Sequence, residues 1–506
     1  MASRVNFDFS FGKRAKSRAR SEGERLRILV IGDLRGAARA PSAEANPLAT
    51  ARVQKLGIDN FDRVFASLTP AVELAPRSGD AAGQDPVRLS FGALADFHPD
   101  ALYDSLDALR GLALSRARLA DANTFAAERA RLLSDQPVAK ESATPLVPAD
   151  ESAASTLGRL LGGPVSKPAA PSAAASAIDG LLQAIVGPHV KASLPEQKQL
   201  LASVDAAVSS ELRAVLHDPA FQRLEASWRG LDWLVRENAL GDQLELCVLD
   251  ASRAELIADL RACGGELERS TLYRLIVERE VLAPSGQPFA LIIGDLYVEG
   301  EESDVGLLAG LGALAAHAGG AFIAGARPEL IGCKDLVNET HWSSWEKPDP
   351  ALAERMSLLR ASPVAPFIGL ALPRLIGRVP YGKRSDPIER FDFSELTADA
   401  AHEQYLWINP AFGCAQLLVA SFAADGWDFT LGSELELGSL PLAAQLGSDG
   451  ERIKPCAEVC FDASSAEHVL GHGLMPLLSY RDRNAVRLMR FQSIAQPAAP
   501  LAGPWR

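Results

Sequence analysis

The sequence predicts an α/β protein with mixed sheets, packed helices and two domains joined by an Ala/Pro/Ser-rich linker. Three observations carry this expectation. Compact apolar runs of strand length occur at residues 26–31 and 289–293; helical-period apolar stripes occur elsewhere, most clearly over 217–235; and the composition changes abruptly between 134 and 177.

At 506 residues the chain is long enough to bury a sizeable core and to form more than one domain. Hydrophobic residues make up 47% and charged residues 23%, an ordinary globular balance, and a net charge of −13 argues against a nucleic-acid partner. The six cysteines, none before Cys247, do not form a disulfide framework and fit a reducing, cytoplasmic setting. Basic residues cluster from Lys13 to Arg27 without the apolar segment or cleavage site of a signal peptide. No apolar run is long enough to insert into a membrane.

Residues 5–11 alternate apolar and polar, which puts Val5, Phe7, Phe9 and Phe11 on one face of a short strand in need of a partner. The basic run that follows reads as a solvated arm. The strand at 26–31 leads into Gly32, Asp33 and Leu34. Ligands often sit at such strand ends, yet neither a Gly-x-Gly-x-x-Gly nor a Walker pattern is present. A helix with Phe61, Val64, Phe65 and Leu68 on one face is ended by Pro70. Residues 87–91 read as a strand, 94–99 as a turn and 102–119 as an amphipathic helix.

Between 134 and 177 Ala, Pro, Ser and Gly dominate. Such a stretch buries too little apolar area to offset its chain entropy, so it is expected to be a tether, interrupted by an apolar island with Leu157, Leu160 and Leu161. The resulting domains are 1–133 and 178–497, with a tail at 498–506.

Helices are expected at 178–186 and 194–215, leading into 217–235. There Asp218 is a good N-cap and Pro219 fits the first turn. Leu216, Phe221, Leu224, Trp228, Leu231 and Leu234 form an apolar stripe, with Arg223, Glu225, Arg229 and Asp232 off it. A core helix and a docking face share this pattern. Strands at 244–249, 289–293 and 321–327 alternate with helices at 253–260, 272–280 and 306–318. The strand at 289–293 is again followed by Gly-Asp-Leu, here Gly294, Asp295 and Leu296, so the two halves echo each other. Gly306, Gly310 and Gly312 sit within a helix, where they suit close packing better than phosphate binding, and His317 has no second ligand at a fixed offset.

His402 and Glu403 lack a second histidine at the zincin spacing. Tyr405, Trp407 and Phe412 are expected to anchor a core or a subunit contact. Cys456, Cys460, His468 and His472 come in zinc-finger order, but their spacer is short, and on a strand at 457–461 the two cysteines would stand about 13 Å apart. Only a bend would bring them together, so no metal is expected. No nucleophile, base and orienting group recur at motif spacing, which leaves no expected catalytic residue and no cofactor.

Several stretches resemble one family. His217, Pro219, Phe221, Leu224, Glu225, Trp228, Arg229, Gly230 and Leu231 fall in a spacing that resembles the start of the large contractile-sheath subunit of bacterial type VI secretion systems. Segments at 370–374, 378–382, 391–393, 402–412, 421–422 and 426–427 follow in that family's order, so the likeness spans 178–497. The first quarter is similar to the small subunit of the same sheath, through Gly32-Asp33-Leu34, then Asp59-Asn60-Phe61-Asp62, then Phe91, Leu94, Asp96, Phe97 and Pro99.

The resemblance implies a structural, non-enzymatic component that assembles around an inner tube and contracts to drive it outward. Its partners would be other sheath protomers, the inner tube protein, a baseplate and an AAA+ recycling ATPase. Val5, Phe7 and Phe9 are the candidates for strand addition to a neighbour. Phe221, Leu224, Trp228, Arg229 and Leu231 are those for joining the two halves, Tyr405 and Trp407 for further contacts, and Leu157, Leu160 and Leu161 for ATPase recognition. Two departures stand out. Ala463, Ser464, Ser465 and Ala466 replace a charged Asp-Arg-Arg-Glu stretch, and the chain ends soon after Gln496 and Pro497, where the large subunit normally continues for about a hundred residues. An alternative expectation follows: a truncated accessory that caps or regulates a sheath made of other subunits.

Overall fold

Apolar runs bounded by turns account for most of the strands. They are β1 (Leu26–Gly32), β2 (Val53–Leu56), β3 (Ala71–Leu74), β4 (Val87–Ser90), β5 (Leu244–Asp250), β6 (Leu291–Val298), β7 (Ala321–Ala326), β8 (Ile368–Leu372), β9 (Leu375–Ile376), β10 (Trp407–Ile408), β11 (Glu436–Leu437), β12 (Ala443–Gly447), β13 (Gly450–Lys454), β14 (Met475–Ser479) and β15 (Val486–Leu488). The computed structural model describes residues 20, 23–36, 47–74, 86–134, 195–238, 241–397, 400–447, 450–481 and 483–505. Val5, Phe7, Phe9, the island with Leu157, Leu160 and Leu161, the tether beyond residue 134 and the helix expected at 178–186 lie outside the described residues.

The chain divides into two compact units, Met1–Leu106 together with Ser209–Arg506, and Asp107–Val208. The larger holds a nine-stranded mixed sheet in the order β11-β15-β14-β8-β7-β6-β1-β5-β2. Its middle, from β14 to β5, is parallel; at one edge β2 is antiparallel to β5, and at the other β15 is antiparallel to both β14 and β11. All seven residues of β1 are buried, as expected of a central parallel strand covered on both faces. Helix Glu302–Ala318 covers one face, over a core that includes Leu29, Leu249, Ile292 and Phe322, and helix Pro410–Asp425 lies on the other. Both are apolar nearly all round, the pattern of helices buried between layers.

The smaller unit contains helices Asp107–Ala120 and Phe125–Ser134 and the first part of helix Pro195–Leu216. They are tied by Arg116 Nε to Asp205 at 2.6 Å and by Gln197 Nε2 donating to the Leu119 carbonyl at 2.6 Å.

The α/β expectation holds, with differences in detail. The single helix expected over 102–119 is two, Pro99–Ser105 and Asp107–Ala120, because Leu106 turns to extended backbone (ψ 116°) while the apolar periodicity runs on through it. The helix at 272–280 is wound as a π-turn over Arg274–Glu278, where Arg279 N–H bonds the Arg274 carbonyl. Gly294, Asp295 and Leu296 belong to β6 instead of following it, at a register irregularity between Gly294 and Tyr297. Residues 457–461 do not form a strand; Ala457 makes one bridge, to Leu375.

Candidate functional site

Helix Pro219–Arg236 begins as its sequence dictates: the Asp218 side chain accepts from Ala220 N (2.8 Å) and Phe221 N (3.2 Å), with Pro219 at the first position. Phe221, Leu224, Trp228, Leu231 and Leu234 are all buried. The partners of Phe221, Leu224 and Trp228 come from the N-terminal part of the chain. Trp228 packs against Phe65 at 4.4 Å between ring centroids and edge-on to Phe61 at 5.8 Å, and its Nε1 donates to the Leu34 carbonyl at 3.0 Å. Phe221 meets Phe91 and Phe97 edge-on at 5.8 and 5.4 Å. Gly36 completes the fit: its φ is +82°, and a Cβ there would stand 2.3 Å from the Ala71 carbonyl oxygen and 3.3 Å from the Leu224 side chain. On another side of the helix, Gly230 lies against the Phe412 ring.

Charged residues assigned to the polar side of this helix prove to be part of its packing. Glu225 is fully buried, and its carboxylate accepts from Arg378 Nε at 2.7 Å and Arg229 Nε at 2.7 Å. Arg378 turns its other edge to the buried Glu395, at 2.7 and 3.0 Å, and stacks 4.0 Å over the Tyr381 ring. Tyr381 N–H donates to Glu395, and its hydroxyl accepts from Arg229. Burial alone would push the Glu225 carboxyl up, but the guanidinium groups of Arg378 and Arg229 hold it below its usual range. Periodicity could not reveal this, because a carboxylate one position off an apolar stripe looks solvated until its partner, 153 residues away, is known.

Tyr405 and Trp407 are buried, 1% and 6% exposed, in a small core with Ile376 and Ala443. Beside them, His402, Glu403 and Glu458 form the one cluster of three metal-type ligands among the described residues. Its centre is taken by a guanidinium: Arg374 Nε bonds Glu458 at 2.7 Å, while its two terminal nitrogens bond Glu403 at 2.7 and 3.0 Å. His402 Nε2 is 3.2 Å from Glu458, Lys454 Nζ is 3.1 Å from the other ring nitrogen, and Trp407 stacks on the imidazole at 4.6 Å. This is an ion-pair network, and Glu458 is the member that sequence spacing missed. Cys456, Cys460, His468 and His472 do not converge among the described residues: Cys456 Sγ donates to the Pro441 carbonyl, whereas the His468 and His472 rings lie 4.6 Å apart, tilted at 52°, with Trp342 stacked on His468.

Where β1, β5 and β6 end beneath the Pro219–Arg236 helix, a cleft of about 400 Å³ opens, bordered by Asp33, Ser227, Asp295, Tyr297, Tyr405 and Asn409 among others.

Comparison with known proteins gives two family matches in one chain. The model of VipB (EvpB), tail sheath N-terminal domain, matches residues 198–495, and that of type VI secretion system VipA matches residues 2–135. Type VI secretion system sheath protein TssC1 of Pseudomonas aeruginosa is 30% identical over 314 residues, which covers 60% of this chain and 62% of that protein.

Proposed function

Because the chain belongs to the VipB tail-sheath family and carries a VipA-type segment ahead of that domain, we propose that it is a structural protomer of a type VI secretion contractile sheath, with small and large parts in one polypeptide. The supporting observation is that β1, from the VipA-matching part, pairs along all seven residues with β5 and on its other side with β6, both from the VipB-matching part. Trp228, Phe221 and their four phenylalanine partners reinforce that union from the helix above. A contractile assembly works by switching contacts between protomers, which requires each protomer to remain a unit while its neighbours slide.

In this reading the activity is mechanical and not enzymatic, and the setting is the bacterial cytoplasm. Among the described residues no helix is long and apolar enough to cross a membrane. The partners are other sheath protomers, the inner tube, a baseplate and an AAA+ recycling ATPase. Val5, Phe7 and Phe9 extend a neighbour's sheet, and Leu157, Leu160 and Leu161 engage the ATPase. Electron microscopy of the full chain, expressed with and without its neighbouring gene products, tests the proposal. Tubules built of this protein support it. Protein found solely at the ends of filaments made by other subunits, or never in filaments, overturns it, the first result in favour of a capping or regulatory accessory.

A further inference from the structure

Helix Ala463–Gly471 ends in a pair of histidines four residues apart. Its start is capped by the Asp462 side chain, which accepts from Ser465 N–H at 2.8 Å, and His472 at its other end still has helical backbone (φ −81°, ψ 0°). Residues at this spacing share a helix face, so His468 and His472 stand one turn apart on the same side, both half-buried. Their ring centroids are 4.6 Å apart and the rings are tilted by 52°. Two histidines at i and i+4 on one helix face are a recurrent zinc-holding unit, because one turn brings both imidazoles to a single ion.

Each ring is also held in a form that suits a metal. His472 Nδ1 lies 3.0 Å from the His468 carbonyl; a carbonyl can only accept, so Nδ1 carries the proton and Nε2 keeps its lone pair. A backbone carbonyl on the far nitrogen is a usual partner of a metal-bound histidine. Neither ring nitrogen of His468 has a hydrogen-bond partner among the described residues. Its ring is fixed instead by Trp342, stacked on it at 4.9 Å, and by Trp345, edge-on at 5.6 Å. Burial and the neighbouring His472 push the His468 imidazole below its usual value, toward the neutral form that a metal requires. The carbonyls of a helix C-terminus favour a cation, and Arg360 takes up one of them, that of Gly471, at 3.4 Å. Cys456 and Cys460, the other half of the zinc-finger order, do not join the pair among the described residues.

We infer that His468 and His472 chelate one transition-metal ion of the imidazole-preferring class, Zn²⁺, Ni²⁺ or Cu²⁺, through His472 Nε2 and one nitrogen of His468, with water in the remaining coordination positions. Chelation closes a ring across the last turn of helix Ala463–Gly471, just before β14, and holds the His468 imidazole against Trp342. The inference rests on side-chain geometry and is independent of the sheath assignment.

Ni²⁺ is the probe. The full chain, stripped with a chelator, is titrated with Ni²⁺; bound metal is measured by equilibrium dialysis, and tryptophan emission is followed because a paramagnetic ion on His468 quenches the adjacent indoles of Trp342 and Trp345. The expected result is one saturable site, competed by Zn²⁺, with partial loss of emission and a higher Tm when occupied. His468→Gln and His472→Gln each leave a single ligand and should bind Ni²⁺ at least about tenfold more weakly, with emission no longer responding. His341→Gln, at the third histidine beside Trp342, should bind as wild type does, because its ring nitrogens face Ser343 and Ser464. The two chelate substitutions act separately, so either one in a chain that keeps the wild-type Tm without metal decides the matter. A wild-type titration without saturation overturns the inference, as does a site that survives His468→Gln or His472→Gln, or one lost in His341→Gln. Saturation without any change in emission places the ion elsewhere and overturns it too.

Discussion

Trp228→Ala removes the side chain through which the Pro219–Arg236 helix grips the N-terminal part of the chain. The indole is fully buried, packs on Phe65 at 4.4 Å and donates to the Leu34 carbonyl at 3.0 Å. Truncating a buried Trp costs about 3–5 kcal/mol through lost area and the cavity left behind. A carbonyl left without its donor adds about 1–3 kcal/mol. Against the roughly 5–15 kcal/mol that holds a domain folded, this loss brings the larger unit close to unfolding. Urea denaturation followed by far-ultraviolet circular dichroism measures it. Trp228→Phe, which keeps an aromatic ring against Phe65 but has no N–H, should recover more than half of the loss. Trp342→Ala, at a position 40% exposed, serves as control and should stay within about 1 kcal/mol of wild type. A loss below about 1 kcal/mol in Trp228→Ala, or one no larger than in the control, would refute the reasoning. A protease site introduced between residues 135 and 194 adds a second readout. Because β1 is paired on both sides, the cut halves should remain together even in Trp228→Ala and separate at a lower urea concentration than the cut wild type.

Glu225→Gln removes the charge shared by the half-buried Arg229 and the buried Arg378, which keeps Glu395, and should cost about 1.5–3 kcal/mol in the same denaturation assay; a change under about 1 kcal/mol would show that the network is solvated. Gly230→Ala places a Cβ 2.5 Å from a Phe412 ring carbon and should cost about 1–3 kcal/mol, partly restored by Phe412→Leu; a neutral Gly230→Ala would mean the two helices separate readily there. Stability against pH should show two opposed limbs, measured as Tm. Burial raises the Glu458 carboxyl, but its His402 hydrogen bond and Arg374 outweigh that and hold it at about 2 against its usual 4.5, so its contribution is complete above about pH 4.5 and is lost as pH falls toward 2. Asp295 is shifted the other way, from 3.8 to about 6, so the fold loses stability as pH rises across that interval. Glu458→Gln should flatten the first limb and Asp295→Asn the second; a substitution that leaves its limb unchanged removes that assignment.

The elements most legible in the sequence were those whose local signals agree. Asp218, Pro219 and the stripe from Phe221 to Leu234 fixed a helix because capping chemistry, proline geometry and periodicity all mark the same start. The hydrophobic character of β1, β6 and β7 was equally plain. What could not be read was which strand lies beside which. Residues 26–31 carry no mark that says they enter the centre of a sheet between two neighbours that begin more than 200 residues later, since a parallel strand looks the same wherever it sits. The polar centres were hidden for a related reason. Glu225 with Arg378 and Glu395, and Glu458 with Arg374, are pairings of residues 17 to 153 positions apart with no fixed spacing. The echoed Gly-Asp-Leu is visible in the sequence, but that Gly32 stands beside Asp295 follows from the strand order alone.

That strand order also sets a timetable for synthesis. Leu26 of β1 pairs with Leu244 of β5, 218 positions along the chain, from 26 to 244. At about 5–20 residues per second, the nascent β1 segment waits roughly 10–45 s for its first neighbour and longer for β6. Throughout that interval an apolar strand destined for the middle of the sheet has both edges bare, which is the condition that recruits chaperones or seeds aggregation. On a single polypeptide the wait has a fixed end and its outcome is always one-to-one. Split into two polypeptides, the same strand would depend on a matched supply of its partner.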